Sequence, residues 1–364
     1  RYSTTPPRTP PPPPRSPLSA PMPSVPPSQR DIARAAGASQ GAVSLALGNS
    51  PRLSARLREH IQTVARQLGY QPNPYLSGLS AYRKQRRRPN YQATLAWISS
   101  YPPGVRHWRD IPTFLHYFEG ACQRAGELGY RLEAFELAAP DMTPAHMEQI
   151  LKTRNIPGIL IAPQPGPRAR FPISLERFSA ITFGYTLTEP RLHLVTHNHF
   201  RAMETLLGTL RARGYKRIAL ALEAENDLRF DRILGSAFLR AQADWKPSER
   251  IPVFDAPRLT PAHFMAWIRR YKPDAIVTLW EPALSVLQAA GRNVPADIGL
   301  AMLSIPHRDG TLAGMWENPE IVGACAIESL VEMVHRGERG IPEHPTCILV
   351  ESTWTEGKTI RPLA

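Results

Sequence analysis

From Gln92 onward, short apolar runs of β character alternate with amphipathic helical stretches, and this alternation narrows the possible folds more than any other feature of the chain. The β-type runs fall at residues 93–98, 159–162, 180–183, 218–222, 275–279 and 299–303, with helical periodicity at 113–128, 200–213, 229–243 and 283–290. Strand, helix and strand at this interval imply right-handed βαβ units, and so parallel sheets with helices packed on their faces. A chain of 364 residues exceeds the usual single domain, which suits a small module followed by a two-lobed body of roughly 270 residues.

The first quarter of the chain has a different texture. Residues 1–27 hold 12 prolines and almost no core-forming side chains. Such a segment cannot repay the entropy of ordering, and it reads as a disordered, proline-rich tail without the apolar stretch of a secretory signal. At Ser28 helical patterns begin: Ser28 caps a helix at 29–36, Gly37 breaks it, and Ser39 caps a second at 40–47. Gly37 supplies the positive φ that a tight helix–helix turn demands. Ile32, Ala33, Ala36, Val43 and Leu47 then lie on the facing sides of two crossed helices. Ser54 caps a third helix, 55–68, whose Leu57, Ile61, Val64, Ala65 and Leu68 form a closing stripe. Residues 28–73 are thus expected to be an all-helical headpiece, followed by a short helix and basic linker at 74–90 that includes Arg83, Lys84, Arg86, Arg87 and Arg88.

The formal charge is +13, and its placement matters more than its size. Residues 28–90 carry 11 Lys and Arg against Asp31 and Glu59, and the tail adds Arg1, Arg8 and Arg15, which leaves the remaining three quarters nearly neutral. A basic segment on a neutral body is the footprint of a polyanion-binding module, because such side chains displace counterions condensed on phosphates. Other classes fit poorly. No apolar run approaches the roughly 18 residues of a membrane span. Cys122, Cys325 and Cys347 are too scattered for a disulfide framework or a metal knuckle, so they read as reduced thiols of a cytoplasmic protein. There is no HExxH spacing and no Gly-rich phosphate loop after a strand, so neither catalysis, a bound metal nor a cofactor is expected. His197-Asn198-His199 reads as surface or hinge.

The stretch Asp31-Ile-Ala-Arg-Ala-Ala-Gly-Ala-Ser-Gln-Gly-Ala-Val-Ser-Leu-Ala-Leu, with Ser50-Pro-Arg-Leu-Ser and Leu68-Gly-Tyr-Gln-Pro-Asn73, resembles the helix-turn-helix headpiece of the lactose-repressor (LacI/GalR) family. The run from Arg211 to Leu220 and Val294-Pro-Ala-Asp-Ile-Gly resemble, more weakly, that family's periplasmic-binding-protein-like core of two parallel-sheet lobes. The resemblance implies a transcription regulator, by family habit a repressor, that binds a palindromic double-stranded operator as a homodimer. It places the second helix in the major groove with Gln40, Gly41, Ala42 and Leu45 toward base edges. Gln40 suits adenine, and Leu45, where arginine is frequent, suits a thymine methyl. Ser28, Ser39, Ser54 and Asn73 fall at phosphate-contacting positions, although the serines would cap helices in any protein. Leu79 falls where the family wedges a leucine into the minor groove, or else packs on Leu76.

For the body, residues 91–364, the resemblance implies a small effector held between the lobes, with the chain crossing near Thr196 to Asn198, Trp316 to Asn318 and His344 to Thr346. The N-lobe then comprises 91–197 and 317–343, and the C-lobe 198–316 and 344–364. Arg232 matches an effector-contacting arginine. Tyr185 and Ser304 stand where aspartates are typical, and Trp280-Glu281 replaces a usual Asn-Asp pair, so the effector expected is sugar-like or ring-containing rather than a simple sugar. Trp280 and Trp316 either offer stacking faces, with Glu281 as acceptor, or pack at an interface. Two rivals remain at this stage: a transport-type binding protein, for which residues 28–88 have no use, and an architectural DNA-binding protein with a vestigial cleft.

Overall fold

The computed structural model describes residues 27–48, 50, 53–70, 91–256 and 258–363. The expectations for the tail, the hinge helix and linker, Asn73 and Leu79 lie outside the described residues. The chain divides into two units, residues 1–82 and 83–364.

In the first unit, α1 (Gln29–Ala35), α2 (Gln40–Leu47) and α3 (Ala55–Gln67) close on one small core. Ile32, Val43, Ala46, Ile61 and Ala65 are buried in it, with Ala33, Ala36, Leu47, Val64 and Tyr70 at its margin. Gly37 takes φ +60° between α1 and α2, as the turn requires. Each serine cap is formed. Ser28 shares its N–H (2.9 Å) and Oγ (2.6 Å) with the Asp31 carboxylate, while Ser39 Oγ accepts from Ala42 N (3.2 Å) and Ser54 Oγ from Leu57 N (3.4 Å). The expected stripe on α3 is narrower than its sequence suggests: Leu57 and Leu68 are 37% and 40% exposed. Two short helices offer α3 only a slender surface, so only Ile61 and Ala65 reach the centre.

The second unit holds two sheets. The first contains β1 (Ala93–Ser99), β2 (Tyr130–Glu136), β3 (Gly158–Ile161), β5 (Ser179–Phe183), β7 (His193–His197) and β13 (Cys347–Val350). Their order is β13-β7-β5-β3-β1-β2, and every pairing is parallel. Helices α4 (Pro112–Glu127) and α11 (Pro319–Arg336) cover one face, and α5 (Pro144–Thr153) covers the other. A small two-stranded pair, β4 (Ala169–Arg170) with β6 (Leu187–Glu189), flanks this sheet.

The second sheet contains β8 (Ile218–Glu223), β9 (Phe254–Ala256), β10 (Ala275–Thr278), β11 (Gly299–Met302), β12 (Ala313–Trp316) and β14 (Thr353–Thr355), in the order β14-β12-β11-β10-β8-β9. It is parallel except for β14, which pairs antiparallel with β12. On one face lie α6 (His199–Ala212) and α8 (Ile233–Ala243), the latter preceded by the short α7 (Ala224–Arg229); on the other lie α9 (Pro261–Tyr271) and α10 (Ala283–Ala289).

The chain passes between lobes three times, after β7, after β12 and after β13. The first two crossings fall where the sequence places them. The third does not: residues 347–350 pair with β7 in the first sheet, so the crossing lies at Glu351 and Ser352 rather than near His344 to Thr346, and the N-lobe extends to Val350. The crossings are stapled to one another. Asn318, in the left-handed region at φ 52°, donates Nδ2 to the Glu351 carbonyl (2.7 Å) and to Thr353 Oγ1 (3.0 Å), and Asn198 Nδ2 donates to Glu351 Oε1 (3.1 Å). The expected helix at 229–243 is also interrupted. Asp231 and Arg232 both take positive φ, 52° and 61°, and separate α7 from α8.

Candidate nucleic-acid interface and effector cleft

Helix α2 turns Val43 and Ala46 into the headpiece core and leaves Gln40, Gly41 and Ser44 exposed. Ala42 packs at the core margin, whereas Leu45 is half-buried and lies outside the core cluster. Of the four expected base-facing residues, then, Gln40 and Gly41 project fully, Leu45 partly and Ala42 least. Elsewhere in the headpiece Arg30, Arg34, Arg56 and Arg66 are exposed; Arg34 reaches Asp31 at 3.7 Å and Arg66 donates to Thr63 Oγ1 (3.2 Å). Asp31 itself is held below the usual carboxylate range by its hydrogen bonds from Ser28. Ser39 stands in a Gly-x-Ser-x-Gly run, residues 37–41, but the chain enters it from a helix and its Oγ is spent on capping α2. It therefore lacks the strand-to-helix setting of a nucleophile elbow.

In the body, the carboxyl ends of the strands are where a doubly wound sheet receives its ligand. On the N-lobe side Glu136 organises the segment that follows β1. It accepts from Ser99 Oγ, from Trp108 Nε1 (3.2 Å) and from Arg109 Nη1 (2.9 Å), and His107 Nε2 lies at 3.4 Å. Burial pushes this carboxyl up, but the Ser99, Trp108 and His107 hydrogen bonds outweigh it and the net direction is down. Arg109 also lies 4.3 Å over the Trp108 ring. So anchored, the segment sends Arg106 across to the C-lobe, where its Nη1 donates to Glu281 Oε1 (2.9 Å) while Nε and Nη2 hold the Asp110 carbonyl. Both partners are at least half exposed, so this bridge contributes at most about 1 kcal/mol. A second bridge runs from Arg229 Nη1 to the Pro165 carbonyl (2.6 Å). The Tyr101 hydroxyl beside Arg229 is pushed up to about 12 by burial, against the pull of the guanidinium.

The expected effector residues separate into three groups. Arg232 is exposed on the left-handed break between α7 and α8, with no side-chain partner among the described residues. Two adjacent non-glycine residues in this conformation cost on the order of 1–3 kcal/mol each, a strain characteristic of functional sites. Glu281 is engaged by Arg106, and Trp280 is half-buried with its ring 5.1 Å from Phe264. Trp316 is 8% exposed, packed with Met302 and Ile305 and 5.6 Å from the His116 ring. Tyr185 and Ser304 join a polar cluster at the crossings that the sequence did not reveal. Tyr185 lies 5.8 Å from His199, which lies 4.8 Å from Phe230. Burial, with Cys347 and Asp231 nearby, pushes the Tyr185 hydroxyl up. Ser304 bonds the buried Glu317 carboxylate.

His193 and His197 stand four residues apart, the spacing that pairs two metal ligands on a helix, but both lie on β7, where that interval spans about 13 Å. Among the described residues no group of three or more His, Cys, Asp or Glu is placed to hold a metal ion, and no helix is long and apolar enough to cross a membrane.

Residues 29–73 match the model of bacterial regulatory proteins of the lacI family, and residues 207–360 match that of a periplasmic binding protein-like domain. No curated protein sequence matches the chain. Among solved structures, the transcriptional regulator CelR in complex with cellobiose is similar at 16% identity and TM-score 0.53, over 92% of this chain and 99% of that one. The Lac repressor dimer bound to operator and the anti-inducer ONPF is similar at 14% identity and TM-score 0.51, over 92% and 99%. CcpA from Weissella paramesenteroides with bound glucose is similar at 13% identity and TM-score 0.52, over 73% and 98%. Identities this low establish the shared fold alone; the two family models, matched in order along one chain, establish the kinship. The protein belongs to the lacI family of bacterial regulatory proteins, DNA-binding transcriptional regulators with a helix-turn-helix headpiece and a periplasmic-binding-protein-like core.

Proposed function

We propose that the chain is a cytoplasmic repressor that binds a roughly palindromic operator as a homodimer and is modulated by a sugar-like or ring-containing molecule between its lobes. The observation that carries this reading is α2: one face is locked into the headpiece core by Val43 and Ala46, while the other presents Gln40, Gly41 and Ser44 from a capped N-terminus in a headpiece that also exposes arginines. Gln40 is then the adenine reader and Leu45 the apolar contact; Ser28, Ser39 and Ser54 bring capped helix ends toward phosphates. A two-fold protein imposes two-fold symmetry on its site. An apolar groove of about 650 Å³ between α9 and α10, lined by Pro261, Met265, Val286 and Ala289, is the kind of surface a contact between copies would bury.

The effector reading is supported by Arg232 on its strained break, by the two bridges that span the cleft, and by the small molecules named with two of the solved relatives, cellobiose and glucose. Arg232 is the contact residue, with Tyr185 and Ser304 as further contacts from the polar cluster at the crossings. Trp280, Trp316 and Glu281 serve by shaping the walls, since each already has a packing or ionic partner.

Selection from random duplexes with the full-length chain tests the reading. The expected outcome is an enriched inverted repeat, and a pool without consensus would overturn it. The same experiment on Leu45→Arg is expected to gain a guanine at the base pair beneath that position, because a bidentate fork discriminates by about 1–3 kcal/mol. An unchanged consensus would remove Leu45 from the base-reading set.

A further inference from the structure

Tyr101, just past the carboxyl end of β1, is 7% exposed, and its buried hydroxyl meets no hydrogen-bond acceptor. The Arg229 guanidinium lies beside it, but a guanidinium offers no lone pair and can only donate. A buried hydroxyl whose proton has no acceptor leaves its desolvation uncompensated, and such a group calls for a reason, of which a ligand is one.

Arg229 stands in a complementary position. It ends α7, is half-buried, and reaches across to the N-lobe, where Nη1 donates to the Pro165 carbonyl after β3 (2.6 Å). Among the described residues no carboxylate pairs with it, so a partly buried positive charge is met by a neutral oxygen alone. The carboxylates near these strand ends are already committed. Glu136 accepts from Ser99, Trp108 and Arg109, Glu281 from Arg106, and Asp227 from the Gly235 N–H (3.0 Å). Asp231, exposed on the left-handed break, lies toward Tyr185, whose hydroxyl is pushed up by burial, by Cys347 and then by Asp231.

What remains open here is a set of donors: the Tyr101 hydroxyl, Arg229 and, three residues on, the unpartnered Arg232. A neutral polyol brings hydroxyl protons that need acceptors, whereas a carboxylate or phosphoryl group accepts, and most strongly from a guanidinium. We propose that the effector bears an anionic group, a carboxylate or a phosphoryl, which accepts from the Tyr101 hydroxyl and the Arg229 guanidinium where the loop after β1 meets the end of α7. The inference rests on the reading that the cleft receives an effector, and adds that molecule's charge and the residues that hold it.

Thermal unfolding of the full chain, followed by tryptophan fluorescence with inorganic phosphate, acetate or glucose added at constant ionic strength, tests it. All seven tryptophans belong to the body, so anions gathering on the basic headpiece do not enter the signal. A ligand of the folded state raises the melting temperature with its own midpoint concentration. Phosphate or acetate is expected to do this, and the one that does identifies the group. Arg229→Gln is expected to raise the midpoint by about tenfold or more, as loss of a hydrogen bond to a charged group does. Tyr101→Phe is expected to raise it by about tenfold as well, while the melting temperature without ligand holds or rises, because the hydroxyl has no acceptor to lose; a purely structural hydroxyl would show the reverse. No saturable response to either anion, a response that both variants leave intact, or a saturable response to glucose alone overturns the proposal, and the last would leave the cleft as a receptor for neutral molecules. Anion binding that both variants weaken but that leaves affinity for the selected duplex unchanged would support the site and remove only its modulating role.

Discussion

Ile61→Ala is expected to abolish specific DNA binding while leaving the body folded. The headpiece core rests on Ile32, Val43, Ala46, Ile61 and Ala65, and Ile61 on α3 is fully buried. Truncating a buried isoleucine costs about 2–5 kcal/mol. A module of some forty residues is stabilised by only about 2–6 kcal/mol in all. One substitution thus consumes most of the stability that holds α2 at its angle, although Ile61 lies on α3 and is not itself an expected base-reading residue. All seven tryptophans lie beyond residue 96, so tryptophan fluorescence reports on the body alone. Its melting curve should be unchanged, while fluorescence anisotropy with labelled operator duplex shows no specific binding. Retained binding would mean that the headpiece does not depend on this core.

Gly323→Val is expected to have a comparable effect on the body. Helix α11 crosses α4 so closely that a Cβ on Gly323 would lie 2.0 Å from the Tyr117 carbonyl oxygen. That obstacle is backbone and cannot rotate aside. The helices must separate, loosening Val322, Ala326, Ile327 and Leu330 from Ala121, Ala125 and Val195 in the N-lobe core. Ordinary overpacking costs about 1–3 kcal/mol; a backbone collision belongs at or above the top of that range, which lowers the melting temperature by on the order of 10 °C for a unit of this size. Gly126→Ala is the control. It lies on α4 with nothing within 4 Å of its Cβ position, and replacing an exposed helical glycine should be neutral or stabilising. Equal melting temperatures for the two variants would contradict the close crossing.

Much of this architecture was legible in the sequence because its signals are local. Serine caps, the Gly37 break and the alternation of apolar runs with amphipathic stretches each act within a few residues. What escaped was non-local or at an edge. The β2 segment, Tyr-Arg-Leu-Glu-Ala-Phe-Glu, mixes charges into a strand because it lies at the sheet edge. Residues 347–350 look free to join either lobe, and only pairing with β7 assigns them to the first. The break at Asp231 and Arg232 uses neither glycine nor proline, so no residue type announces it. At the cleft, Arg106 meets Glu281 across 175 positions and Tyr117 meets Glu317 across 200. No periodicity encodes such pairs, so the sequence could name Glu281 as an acceptor for ligand without showing that Arg106 already occupies it.

The central claim is that the exposed face of α2 distinguishes one duplex from another. Competition binding of the full-length chain to its selected duplex and to a scrambled duplex of equal length, repeated over a range of salt, tests this directly. The account predicts a preference of at least about a thousandfold at physiological salt, which Gln40→Ala diminishes. Equal affinity for both duplexes, falling steeply and in parallel as salt rises, would show phosphate binding alone and contradict it.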